Sequence, residues 1–195
     1  MNQAAAPAGS NQGGLPFAIG AYLIWGFVPL FFKLLSSVPP AEVLAQRIVW
    51  SLPLCFLIMA FRRQIGDYVA ALKDWRVLRL LLVSSVLIAL NWLVYIYSIF
   101  TDHVLAASLG YYLNPLVNVM LGMIFLGERL SRLQALAVVI AGIGVAILLA
   151  GALDTLWISL ILAFSFGTYG LIRKIVPVGS LPGLAIETTL LLPLS

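Results

Sequence analysis

Six stretches of about twenty apolar residues, at 16–36, 41–61, 77–100, 104–126, 132–151 and 154–173, constrain this chain more than any other feature. A hydrocarbon core about 30 Å thick is crossed by about 20 helical residues rising 1.5 Å each. A seventh stretch begins near Leu181 and reaches Ser195, and its fifteen residues fall short of a comfortable crossing. Composition agrees, because the chain is 63% hydrophobic and 9% charged, against about 45–50% and about 25% in a soluble domain. The fold class is therefore an all-α membrane protein, a polytopic helix bundle of six full spans plus part of a seventh, with the lipid bilayer as its first partner. One cysteine, Cys55, and one histidine, His103, exclude an internal disulfide and argue against a Cys/His metal cage. No metal, cofactor or nucleic-acid partner is expected.

The polar stretch 1–14 has no Lys or Arg and reads as a mobile tail, and the apolar run after it is too long for a cleaved signal. Pro39 and Pro40 suit the first turn of span two, and Gly127 suits a left-handed end to span four. Ser131 and Gln134 form a capping-box pattern before span five, and Asp154 is a candidate cap for span six. Ile65, Tyr68, Val69 and Leu72 recur at helical spacing between spans two and three, which predicts a short interfacial helix followed by Trp75 at headgroup level. Basic residues collect in the even connections: Arg62, Arg63, Lys73 and Arg76, then Arg129 and Arg132, then Arg173 and Lys174. The positive-inside rule then puts the N-terminus and the even connections in the cytoplasm. Lys33 lies within a turn of its span end and can snorkel outward. Arg47 lies about 10 Å into span two, where a charge costs roughly 2.5–3.5 kcal/mol on insertion scales.

Spans one and six repeat one pattern. Gly26 aligns with Gly167, Leu30 with Leu171 and Lys33 with Lys174. With a one-residue gap, Leu44 and Ala45 align with Leu184 and Ala185, Pro53 and Leu54 with Pro193 and Leu194, and Arg47 falls opposite Glu187. A unit of five spans is odd, so a second unit is inverted, a recurrent plan among secondary transporters whose site lies between the two units.

The segment GYYLNPLVNVMLGMIFLGERLSRLQALAVVIAGIGV (110–145) resembles the signature of EamA-type proteins of the drug/metabolite transporter superfamily. The stretches AYLIWGFVPLFFKLL, VPPAEVLAQRIVWS, LNWLVYIYS, SFGTYGLIRK and GLAIETTLLLPL resemble one branch, the RarD-type permeases, often named chloramphenicol-sensitive proteins. The resemblance runs from about residue 15 to the end. It implies two inverted five-helix units, an inner or plasma membrane location, and efflux or exchange of small metabolites. On that reading 1–14 is a tail, 15–151 the first EamA unit and 152–195 the start of a second, incomplete one. The departure is at the C-terminus, where the chain stops inside span seven and reads as a fragment; a truncation that must dimerise is the alternative.

An embedded Arg should face the bundle interior or a wet cavity and find a carboxylate or carbonyl. Arg47 and Glu187 are therefore expected to line a central cavity, pairing by turns with each other and with substrate or protons. A fixed structural ion pair is the plainer alternative. Three polar stripes could face them: Tyr22 and Trp25 with Pro29 on span one, Asn91 and Tyr95 with Ser98 on span three, and Tyr111, Asn114 and Asn118 on span four beside Pro115. Aromatics plus amides suit planar or amphipathic small-molecule substrates. Interhelical hydrogen bonding is the alternative use of the same residues. Trp92 and Tyr97 point away from this set, toward packing or lipid. Glu42 reads as a helix-start carboxylate, and Glu128 and Arg129 as cap and anchor. The small residues Ala137, Ala141, Gly142 and Ala146, and Ala163 with Gly167, permit close helix approach, and a homodimer through such a face is the lesser alternative.

The expected function is secondary transport of small metabolites or drug-like solutes by alternating access. The alternative is a truncated, non-transporting scaffold or partner-binding bundle. No catalytic residue is assigned: His103 and Ser108 are five residues apart, about 140° around a helix, and no acid orients the histidine. No nucleotide-binding loop appears, so direct ATP drive has no support.

Overall fold

The long apolar runs become helices because nothing in them competes with internal hydrogen bonding, and the breaks fall where a proline, a glycine or a charge cluster interrupts. The computed structural model describes residues 15–151 and 153–194, and the expected tail at 1–14 lies outside the described residues. Among the described residues eight α-helices follow one another: α1 Leu15–Leu34, α2 Pro40–Phe61, α3 Ile65–Lys73, α4 Trp75–Phe100, α5 Val104–Leu126, α6 Arg132–Ala150, α7 Leu156–Ile175 and α8 Ser180–Leu191. Four segments among the described residues are long and apolar enough to cross a membrane: Pro40–Phe61, Trp75–Phe100, Val104–Leu126 and Leu153–Ile175. Spans one and five, expected as full crossings, contribute the shorter apolar stretches Ile19–Leu34 and Arg132–Leu148.

Local chemistry sets the boundaries. Pro40 opens α2, and Gly127 ends α5 at φ 66°, a left-handed conformation that glycine adopts without a Cβ clash. Gln134 N donates to Ser131 Oγ, and Ser131 N donates to Gln134 Oε1, completing the capping box before α6. Asp74 caps α4 by accepting from Arg76 N and Val77 N. The cap expected of Asp154 is corrected: Leu153–Thr155 form a 3-10 turn, and Thr155 stands at the start of α7. The short helix expected between spans two and three is α3, but Tyr68 is buried, edge-on to Phe56 and hydrogen-bonded to Thr189.

α4 packs on α1, α2, α3, α5, α7 and α8, α7 packs chiefly on α5 and α4, and α8 fills the space between α2 and α4. Small residues allow this closeness. A Cβ on Gly110 of α5 would stand 2.9 Å from Leu162 Cβ and 3.0 Å from Ser159 O. At that same crossing Ser159 Oγ donates to Ala106 O at 2.7 Å. On α7, Gly167 lies against Val117, with Ala163 fully buried beside it, as the spacing of those two residues anticipates. On α6, by contrast, a Cβ on Gly142 or Gly144 meets nothing within 4 Å. We expect Gly110→Ala to push α5 off α7 and to cost about 1–3 kcal/mol by overpacking, seen as a lower unfolding temperature in detergent.

The two ends of the bundle are tied alike. At one end Lys33 donates to Asp102, and at the other Lys174 donates to Glu128 at 2.7 Å. The Lys33 ammonium, through its hydrogen bond and its charge, holds the Asp102 carboxyl below the usual carboxylate range. Its contribution is therefore complete above about pH 3.9, the unfolded carboxyl's value, and is lost as pH falls through the lowered folded value. Acid-unfolding curves of the native protein and Asp102→Asn should differ at neutral pH and converge below that point.

Candidate functional site

Arg47 is held inside the bundle by aromatic rings. Its Cζ lies 4.5 Å from the Trp92 ring centroid and 5.6 Å from that of Phe32. Such contacts contribute about 0.5–2 kcal/mol each, more as water is removed. The placement of Trp92 corrects the expectation that it points away, because α4 turns it onto the guanidinium. Among the described residues no carboxylate comes within ion-pair distance of Arg47. The guanidinium instead lines a cleft of about 440 Å³ between α1 and α2, together with Phe31, Phe32, Glu42, Gln46 and Trp50.

Glu187 lies at the other charged position and is 1% exposed. Ser84 Oγ donates to its Oε1 at 2.5 Å, and Tyr169 OH donates to its Oε2 at 3.3 Å. Its ion-pair partner is Arg173, with Nε 3.9 Å from Oε1 and a side chain 13% exposed. Arg173, counted from sequence among the basic residues of an even connection, turns inward and donates to the carbonyls of Gly179 and Ser180 at the start of α8. Gly183 leaves the space its guanidinium fills. Nη1 of Arg173 is buried with no hydrogen-bond partner among the described residues.

Between these charges runs a line of aromatic rings. Phe32 is edge-on to Tyr95 at 6.2 Å, Tyr95 to Tyr111 at 5.7 Å and Tyr111 to Phe166 at 6.2 Å, and Phe166 tilts against Tyr169 at 6.0 Å. Offset and edge-on arrangements at these separations are those that aromatic quadrupoles favour.

The expected site residues thus divide. Arg47, Tyr95 and Tyr111 come together, and Glu187 joins them through the ring line. Asn91 is buried and spends both amide hydrogens on α7, on Leu162 O and Ser165 Oγ at 3.0 Å each. Ser98 bonds its own helix at Tyr95 O. Asn114 is buried, with Oδ1 unpartnered among the described residues. Asn118 is exposed and borders a shallow groove of about 200 Å³ with Gly167 and Lys174. Tyr22 is 81% exposed, and Trp25 is also exposed, on the outer face of α1. Sequence reasoning missed Ser84, Trp92, Phe166, Tyr169 and Arg173. Helical spacing held a signal for most of them: Ser84 extends the Asn91, Tyr95, Ser98 stripe two turns back, and Phe166, Tyr169 and Arg173 share one face of α7.

The model of the EamA-like transporter family matches residues 12–150. An uncharacterized transporter of Pseudomonas aeruginosa is 47% identical over 93% of this chain and 61% of its own length. Protein RarD of Escherichia coli is 44% identical over 96% of this chain and 64% of its own length. The chloramphenicol-sensitive protein RarD of Pseudomonas aeruginosa is 33% identical over 95% and 63%. The chain spans less than two thirds of the length of these relatives. No solved structure matches it.

Proposed function

The chain belongs to the EamA-like transporter family, and on that footing we propose that it is a secondary transporter of small solutes working by alternating access, with Arg47 as its solute-binding group. The observation that carries this reading is a guanidinium embedded in a membrane bundle, stacked on Trp92 and Phe32, without a carboxylate at ion-pair distance among the described residues, and open to a cleft. A purely structural Arg at that depth would be expected to have its charge compensated by an acid or carbonyls.

Inverted-repeat architecture is part of the proposal, and helix registration supports it. α1 and α7 each have 20 residues with a Lys next to last. Arg47 and Glu187 each stand seven residues beyond the first residue of α2 and α8. α2 begins at the Lys33 end of the bundle and α8 at the Lys174 end, so the two charges enter from opposite sides to matching depths. In the alternate state, Glu187 would release Arg173 for another partner. The basic end is assigned to the cytoplasm by its Lys and Arg content, and the membrane is the bacterial inner one. The test is uptake by vesicles carrying the purified protein, over a panel of aromatic and amino-acid-like solutes, with Arg47→Leu as the control. Flux unaltered by that substitution would sink the assignment of Arg47.

A further inference from the structure

Among the described residues Glu187 is the one buried carboxyl, and its surroundings do not complete an anion. A carboxylate has about four acceptor sites. Here Ser84 Oγ stands 2.5 Å from Oε1 and Tyr169 OH 3.3 Å from Oε2. Arg173 Nε, at 3.9 Å, is too distant for a hydrogen bond, and Arg173 Nη2 is spent on the carbonyls of Gly179 and Ser180. The Ser84 hydroxyl also has a second acceptor, Leu81 O at 3.0 Å, and a single hydrogen to give. The bonds therefore close in two ways. With Glu187 ionised, Ser84 donates to Oε1 and Leu81 O goes without the hydroxyl. With Glu187 protonated, Oε1–H donates to Ser84 Oγ, Ser84 donates to Leu81 O and Tyr169 donates to Oε2, so every hydrogen has its acceptor.

A proton has a short way in. Arg173, in the last turn of α7, keeps 13% exposure at the basic end, so Glu187 lies one side chain behind the surface of the bundle. Gly179, whose carbonyl Arg173 holds, lines a cleft of about 420 Å³ with Asp67 and Asp74. Of the titratable side chains that face α8, Cys55 of α2, Tyr68 of α3 and Tyr169 and Arg173 of α7, only Arg173 is charged. A change of charge on Glu187 is thus felt by one partner, across the contact between α7 and α8.

Resting on the transport reading above, we propose that Glu187 is the proton-carrying group of the transporter, so that solute movement is coupled to a proton gradient. One proton per cycle, taken from water on one side and returned on the other, binds Oε1. The Ser84 hydrogen turns from Oε1 to Leu81 O, Glu187 becomes neutral, and the ion pair between α7 and α8 is gone until the proton leaves.

The proton itself is the first probe. Infrared difference spectra of the purified protein between about pH 5 and about pH 9 should contain a carboxylic-acid band that is missing from Glu187→Gln. Ser84→Ala should keep that band and move its frequency, because the acid then loses its acceptor. The absence of such a band, or its survival in Glu187→Gln, overturns the proposal. The second probe is whichever solute of the aromatic and amino-acid-like panel shows Arg47-dependent uptake into vesicles. With the membrane potential clamped, a gradient of about one pH unit should shift its accumulation ratio about tenfold per proton carried. Glu187→Gln, fixed in one charge state, should still exchange solute for solute across the bilayer but no longer accumulate it. Native accumulation that ignores the gradient, accumulation that survives Glu187→Gln, or loss of exchange together with accumulation overturns the proton role and leaves the transport reading standing. A panel without any Arg47-dependent uptake sinks the transport reading, and the coupling with it.

Discussion

Arg47→Leu is expected to lower solute flux about a hundredfold while the protein still inserts and folds. The flux estimate follows from losing one charge-assisted contact to a desolvated anion, about 3 kcal/mol, which is about two decades in rate or affinity. Two opposing effects decide stability. The substitution removes a charge that costs about 2.5–3.5 kcal/mol at depth in a span, and it forfeits the stacking on Trp92 and Phe32, about 2 kcal/mol. Stability should therefore hold or rise slightly, and a thermal-shift measurement beside the flux assay separates lost function from lost fold. Arg47→Lys should fall between the two proteins, since a compact ammonium keeps the charge but not the planar stacking. A non-transporting scaffold would show unchanged behaviour in every assay but stability.

Arg173→Leu is expected to destabilise the bundle by about 3 kcal/mol. Removing one partner of a buried ion pair leaves the other charge uncompensated, at about 3–5 kcal/mol, and the lower end applies because the Arg173 side chain keeps 13% exposure. Glu187 would retain Ser84 and Tyr169 as donors but no cation, and α8 would lose the clamp on the carbonyls of Gly179 and Ser180. Adding Glu187→Gln to Arg173→Leu should recover part of the loss, because the orphaned charge is then gone. A double-mutant cycle in detergent reads the coupling, and strictly additive effects would show that the pair does not interact.

The site was half legible in the sequence, for a physical reason. Arg47 and Glu187 announced themselves because a charge in an apolar run carries a cost that must be compensated. Their partners did not, because Trp92, Phe166 and Tyr169 are at home anywhere in a membrane helix. Asn91 looked like a cavity residue, yet in this fold it is a brace between α4 and α7. A helical stripe shows which residues share a face, not which helix that face meets.

The number of helices, the breaks at Pro40, Gly127 and Ser131, and the depth of the two embedded charges were legible in the sequence alone. Each depends on local chemistry: apolar length against bilayer thickness, proline and glycine at turns, and 1.5 Å per residue. Which helices touch was decided only by tertiary packing. Close approach at Gly110 and Gly167 draws α7 onto α5, Asn91 braces it on α4, and the inserted α8 brings Glu187 to Arg173, with Arg47 left on aromatic faces. Those pairings join residues far apart along the chain, so no local rule of spacing or hydropathy encodes them.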